Sequence, residues 1–409
     1  MYYIKDILSG GVSMKGRHLL CLSLLFCMIV WGGVSIGADE WGEIIIPKDK
    51  PIKIGFGAAL SGAYAKLGID IQHGAELAIS EAKELAGHKW ELVAGDDQCE
   101  GAPSVALAEK YCADPEIVAV VGFMCSGGSL PASEAMDRCK KIMISPSSTH
   151  MDLTRKGFKN VFRVCPNDAA QGVIAGRFIA KELKAKRLAI IHDKSAYGQG
   201  IADVVKATAG GMNVEVVAFE GITRGDKDFT AVLTKIKPLK PDVIYFGGMA
   251  AEGALIARQI KDVGIKCTFM GDEGLHDEKD FIAAAGKAAE GSYITAPATS
   301  RVKSAIEFEE KFKKKYGPLG VFTRQGYDCT LALIMAIEKS AKKEADGSLV
   351  IGKKALADAL RSVEFSGATG KVAFDENGDN KGALWKVDIV KAGKFVEFKE
   401  RPKEQPKKK

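Results

Sequence analysis

From residue 51 onward the chain alternates short apolar runs with stretches in which apolar residues recur every three or four positions. Residues 52–56 predict a strand, and Ile71, Ala75, Ala78, Ile79, Ala82, Leu85 and Ala86 then fall on one face of a helix. A strand at 90–94, a helix at 104–112 behind Pro103 and a strand at 117–123 follow. The last is apolar at nearly every position, the pattern of a strand buried on both faces of a sheet. A helix after Pro131 and extended segments at 141–145 and 161–164 complete a first series. A second series has a helix at 169–183, strands at 188–192, 214–218, 243–247 and 268–271, and helices from Gly200 and over 252–263. Such alternation requires right-handed crossovers into parallel sheets with helices on both sides, so the fold class is α/β with two doubly wound units. Helices at 305–316, 323–342 and 353–362 and an antiparallel pair at 384–390 and 394–398 close the pattern.

The length of 409 residues suits two to three domains. With 46% hydrophobic and 27% charged residues, disorder, collagen and coiled coil are excluded for the bulk of the chain. At the N-terminus, Lys15, Arg17 and His18 precede an apolar run at 19–30 that ends in small residues around Ser35 and Gly37. That order predicts a secretory signal over residues 1–37 with cleavage near Ala38, and either Met1 or Met14 can be the initiator. No second apolar run is long enough to span a membrane, so an exported, periplasmic protein is expected. Without residues 1–37 the 58 basic and 52 acidic residues become 55 and 51, a net charge of +4, and the charges are interspersed. Nucleic acid is therefore not an expected partner. The basic tail at 401–409 reads as solvated and disordered.

Seven cysteines remain after cleavage, an odd number, so at least one is a free thiol or pairs between molecules. None forms a CxxC and the histidines are scattered, so no metal site is expected, nor any cofactor. Gly55-Phe56-Gly57 begins like a dinucleotide fingerprint, but Leu60 stands where the third glycine is needed. Gly347 and Gly352-Lys353 have phosphate-loop spacing, yet Lys354 replaces the magnesium-binding hydroxyl and no strand is read before the loop. No nucleophile elbow or HExxH is present, which argues against an enzyme. What remains is a set of polar loops at the carboxyl ends of buried strands, where open α/β sheets bind ligands. Cys125-Ser126-Gly127-Gly128-Ser129 is either an anion site at a helix start or a plain Ser cap. Ser145-Pro146-Ser147-Ser148-Thr149 is a second hydroxyl-rich loop, residues 193–197 form a third, and Asp272-Glu273 supplies carboxylates. Glu273 is either a solvated loop acid or the partner of an ammonium; in the latter case the set suits a zwitterion.

At these residues the chain resembles the periplasmic leucine/isoleucine/valine-binding proteins, the extracytoplasmic receptors of branched-chain amino-acid ABC transporters. The likeness runs from Ile52-Lys53-Ile54 through Asp96-Asp97-Gln98-Cys99, Cys125-Ser126, Ser145-Pro146, His192-Asp193-Lys194, Gly221-Ile222-Thr223, Lys227-Asp228-Phe229 and Glu273-Gly274 to Phe374-Asp375 and Gly378-Asp379. It implies two lobes joined by three crossovers, the type I periplasmic-binding-protein fold, closing on a ligand by hinge motion. Lobe one would comprise 51–167 plus 298–373, and lobe two 168–297 plus 374–400. It further implies that Ser126 and Thr149 hold the ligand carboxylate, that the Ser147 carbonyl and Glu273 hold the ammonium, and that Tyr197 approaches from the opposite lobe. Cys99 and Cys125 match the family disulfide; Cys112 with Cys139, both at helix ends, is a candidate second bridge, and Cys267 with Cys329 a third. Leu67 and Met249 stand where tyrosines are common, which exchanges polar edges for flexible apolar surface. The implied protein is a monomer that captures Leu, Ile or Val, with Phe or Met as alternatives, and hands it to an inner-membrane ABC permease. A periplasmic amino-acid or amide sensor on the same fold is the rival reading.

Overall fold

A computed structural model of the chain describes residues 39–399. The expected export signal and basic tail lie outside the described residues. Ile117–Val121, buried at every position, is the central strand of a five-stranded parallel sheet. Its neighbours are Ile52–Ala58 and Ile142–Ser145, with Trp90–Asp96 and Val161–Arg163 at the edges. Helices Gly101–Ala113 and Ser126–Cys139 pack over one face. Helices Ala65–Glu81, Thr323–Ser340 and Lys353–Arg361 cover the other. Glycines set how closely two of these approach: a Cβ on Gly74 would lie 2.2 Å from the Thr323 carbonyl oxygen, and one on Gly326 would lie 2.4 Å from that of Ile71.

The second sheet has seven strands. Glu215–Gly221, Arg187–His192, Val243–Gly247, Thr268–Gly271 and Tyr293–Pro297 run parallel, and the last pairs antiparallel with Trp385–Lys391, which forms a hairpin with Lys394–Glu397. Apolar clusters lie on both of its faces, built with helices Asp168–Lys181 and Ala196–Gly210 on one side and Thr230–Ile236 and Ala250–Val263 on the other. The chain passes between the sheets three times, and the crossing segments are bonded to one another. The Ala298 amide donates to the Leu384 carbonyl (2.8 Å), Trp385 Nε1 to the Asn167 carbonyl (3.0 Å) and Asn380 Nδ2 to the Val164 carbonyl (3.1 Å).

Several boundaries differ from expectation. The first helix stops at Glu81 rather than Ala86, because Leu85 turns back to exchange backbone hydrogen bonds with His88. The helix expected behind Pro131 begins at Ser126, with Pro131 inside it, and the one expected from Gly200 begins at Ala196. Glu43–Ile46, ahead of the expected domain start, pairs antiparallel with Leu349–Gly352, so the stretch with phosphate-loop spacing is itself a strand. Segment 374–380, expected in lobe two, stays on the first sheet: Phe374 packs edge-on to Phe162, and the Gly378 carbonyl accepts from the Arg163 amide (3.0 Å).

Candidate ligand-binding site

Between the two sheets lies a cavity of about 260 Å³, at the small end of organic-ligand sites. Its walls include Leu67, Ser126, Ser147, Tyr197, Met249 and Glu273, which are six of the seven positions expected from sequence. Thr149, the seventh, is fully buried and does not line the cavity.

The first pole is built on loops of the five-stranded sheet. The strand Ile117–Val121 ends at a turn that leads into helix Ser126–Cys139, with Cys125 as its extended N-cap. The opening turn of a helix leaves N–H groups without intrahelical partners and carries the positive end of the dipole, so it favours an anion. Cys99 and Cys125 form a disulfide (Cα–Cα 5.2 Å) at the cavity edge and tie this turn to the loop after strand Trp90–Asp96. Behind it the serines are linked to two carbonyls. Ser129 and Ser145 donate to the Phe123 carbonyl (2.9 and 2.7 Å), Ser147 donates to that of Met124 (2.8 Å), and Ser148 reaches both. Ser126 Oγ accepts from the His150 amide (3.2 Å). The fully buried Arg163 fixes the second loop from below, donating to the carbonyls of Ser148 (3.2 Å) and His150 (2.7 Å), to Thr154 Oγ1 (2.9 Å) and to Asp379 (2.6 Å). Burial alone would raise the Asp379 carboxyl, but the Arg163 cation holds it below the usual range.

The second pole comes from the seven-stranded sheet and is acidic. Glu273 is 3% exposed, so it is a buried carboxyl and not a solvated loop acid. It follows strand Thr268–Gly271 beside Asp272, which caps the short turn by accepting from Gly274 N and Gly248 N. Gln171 Nε2 donates both to Glu273 and to Thr295 Oγ1 (2.7 Å), and Tyr197 Oη accepts from the Gly274 amide (3.2 Å). Asp168, on the first turn of its helix, is 1% exposed and its backbone amide donates to the Thr149 carbonyl (2.8 Å). Burial raises all three acids: Glu273 to about 7, Asp168 to about 8 with Glu273 adding to the shift, and Asp272 well above its ordinary value.

Charged contacts cross the cleft on two flanks. Lys66 of the first lobe pairs with Asp277 (3.1 Å). On the other flank Arg224, held 3.3 Å from Asp193 of its own lobe, crosses to lie 4.9 Å over the Tyr64 ring and to reach Glu100 at 4.0 Å. Leu67, Met249, Val321 and Phe322 supply the apolar wall between the poles.

Sequence reasoning missed Arg163, Asp168, Gln171, Arg224 and the Lys66–Asp277 pair. A signal for two of them exists: Asp168 and Gln171 fall on a helix face that otherwise carries Gly172, Ala175, Gly176 and Ile179, all buried. Cys112 and Cys139 also form a disulfide (Cα–Cα 5.8 Å), which joins the ends of their two helices. Cys267 and Cys329 are not paired; Cys267 abuts a strand of the second sheet, whereas Cys329 is buried in a helix on the first. Cys165 is a free thiol too. Among the described residues no group of His, Cys, Asp and Glu is placed to hold a metal ion, and no helix is long and apolar enough to cross a membrane.

Comparison with known proteins places this architecture. A leucine-, isoleucine-, valine-, threonine- and alanine-binding protein of Pseudomonas aeruginosa is 36% identical over 335 residues, covering 81% of this chain and 87% of its own. The Leu/Ile/Val-binding protein BraC3 of Rhizobium johnstonii is 36% identical over 351 residues, covering 84% and 93%. Among solved structures, the leucine-binding protein LivK of Thermotoga maritima superposes with a TM-score of 0.77 at 28% identity, covering 85% of this chain and 98% of its own. The branched-chain amino acid transporter substrate-binding protein LivJ of Streptococcus pneumoniae, solved with isoleucine, gives 0.75 at 27% identity, covering 85% and 99%. The family model described as periplasmic binding protein matches residues 51–394, and the chain belongs to that family of extracytoplasmic binding proteins, which are not enzymes.

Proposed function

We propose that the chain is the solute receptor of an ABC transporter, binding a branched-chain amino acid between its lobes and delivering it unaltered to an inner-membrane permease. One observation carries the reading: a single small cavity has hydroxyls and a helix N-terminus at one end, buried carboxyls at the other and an apolar wall between them. That is the charge pattern of a free α-amino acid with an aliphatic side chain. In this reading Ser126 and Thr149 take the carboxylate, the Ser147 carbonyl and Glu273 take the ammonium, and Tyr197 orders the acidic turn through Gly274. Leu67 and Met249 face the side chain. Two apolar, unbranched or γ-branched walls select by shape and tolerate neighbours of similar size, so Leu, Ile and Val come first, with Phe and Met next.

Residues 1–37 direct export and are removed near Ala38, and the mature chain acts as a monomer. Its lobes are 43–167 with 298–380, and 168–297 with the C-terminal strands. Calorimetry of the mature protein against the twenty amino acids tests the reading. Leu, Ile or Val binding in the micromolar range or tighter is expected, and no ligand binding more tightly than ~1 mM, about −4 kcal/mol, would overturn it.

A further inference from the structure

The acidic pole holds more carboxyls than one ammonium needs. Both Asp168 oxygens are buried without a hydrogen-bond donor in place, although the residue is 1% exposed. Thr149 Oγ1 and Tyr245 Oη are equally buried and also lack partners. Asp168 and Glu273 are surrounded by polar groups from several elements, among them Thr295 of strand Tyr293–Pro297 through Gln171. Their own helix and turn contribute Gln171 and Asp272; strand Val243–Gly247 contributes Tyr245; helix Ala196–Gly210 contributes Tyr197; Asp193, in the loop after Arg187–His192, stands behind Asp272. From the first lobe the Thr149 hydroxyl faces Asp168 and tempers the rise of its carboxyl without completing a hydrogen bond. The crossing segment contributes Cys165 and Arg163, and that cation is already paired with Asp379. Thus three carboxyls face one another with no uncommitted cation among these groups.

We infer that Asp168 is a positioning residue of the ammonium pole, that the empty cleft retains a proton on the Asp168–Glu273 pair, and that an incoming amine displaces it to solvent. This rests on the amino-acid reading above. No bond to the ligand forms or breaks: the substrate arrives as R–NH3+, one carboxyl O–H proton passes to the buffer, and the new cation takes over the compensation. The direction agrees with burial raising both acids. When the ammonium sits against Glu273 the charged forms are favoured and both groups titrate lower. Affinity therefore rises with pH while the empty pair still holds its proton, and levels once it is lost.

The test is calorimetry of leucine binding to the mature protein in buffers of different ionisation enthalpy, from about pH 5 to about pH 9. At about pH 7 the wild type is expected to release roughly one proton per leucine, with affinity rising up to about tenfold per pH unit. Asp168→Asn is expected to bind leucine while releasing less than about half as many protons at that pH. A purely structural role for Asp168 would lower affinity equally at every pH. Enthalpies independent of buffer in the wild type, or undiminished proton release in D168N, overturn the inference while the receptor reading stands. Absence of amino-acid binding at every pH overturns both.

Discussion

The two ends of the cleft are both buried, but they are built on opposite terms. At the first-lobe end the hydroxyls of Ser129, Ser145, Ser147 and Ser148 already donate to the carbonyls of Phe123 and Met124, and Arg163 holds the loop beneath them. These serines are satisfied within the end itself, which leaves the Thr149 hydroxyl as its buried unpartnered group, so its loops keep their shape whether or not a ligand is present. At the second-lobe end three carboxyls converge and Asp168 has no donor in place. A buried charge left uncompensated costs several kcal/mol. The contrast shows that geometry is prepared at one end and charge is left open at the other, so the ammonium should supply the larger share of the binding free energy.

The strongest way to break this contrast is Glu273→Ala. Removing the partner of a desolvated ammonium should weaken leucine binding by on the order of 3–5 kcal/mol. Calorimetry at neutral pH reads it directly, and a loss smaller than about tenfold would show that the acidic end is not where the amine sits.

The next effect separates the two disulfides. Cys99–Cys125 closes 26 positions of chain at the cavity edge, whereas Cys112–Cys139 closes 27 and joins helix ends outside the cavity wall. Replacing either pair by serine should lower stability by about 2–4 kcal/mol, read from urea unfolding. Only loss of Cys99–Cys125 should also weaken leucine binding, because only that bridge fixes the turn into helix Ser126–Cys139. Equal affinities in the two variants would mean that the prepared end does not depend on its cross-link. Ser126→Ala is milder. It removes one hydroxyl that accepts from the His150 amide, and about 1–2 kcal/mol of affinity should go with it. No change would remove Ser126 from the carboxylate site.

Each end is legible in the amino-acid sequence only in part, and the reason is physical. Both ends place residues on loops that directly follow apolar strands, and a run such as Ile117–Val121 announces its own burial. Ser126, Ser147 and Glu273 lie within a few residues of such strands, so local sequence locates them. Arg163, Asp168 and Arg224 act on partners tens or hundreds of positions away, and no local periodicity encodes those partners. The same holds for Glu43–Ile46, whose companion strand lies some 300 residues on. Pro131 misleads for the opposite reason. Proline marks the first turn of many helices, but here two glycines and two serines ahead of it already follow the helical path, so a residue that signals a start sits where the helix is under way. The lobe boundary at 374, implied by the resemblance, is too early because Asp379 is the counter-ion of Arg163 and keeps its segment on the first sheet, a pairing 216 positions apart that no local pattern encodes.

The smallest expected effect lies in the contacts that bridge the two ends. Lys66 and Asp277 meet across the cleft at 3.1 Å, and Lys66 also reaches Asp70 on its own helix at 3.2 Å. The lysine side chain is 53% exposed, so solvent screens the pair and its worth is roughly 0.2–1 kcal/mol. On the other flank Arg224 is 27% exposed and is held by the nearly buried Asp193 of its own lobe; what crosses the cleft is chiefly its stack on Tyr64, which is less open to screening than an exposed ion pair. Lys66→Met should therefore raise the leucine dissociation constant by no more than about fivefold, chiefly through faster release, since the contact exists only while the lobes are together. Ionic strength distinguishes the two flanks. Screening within about 10 Å at 0.1 M salt weakens an exposed pair far more than a covered one, so raising salt should cost the wild type part of its affinity and leave the Lys66→Met protein nearly unaffected. If both proteins respond to salt alike, the exposed pair contributes nothing to closure and the Arg224 flank carries the contact alone.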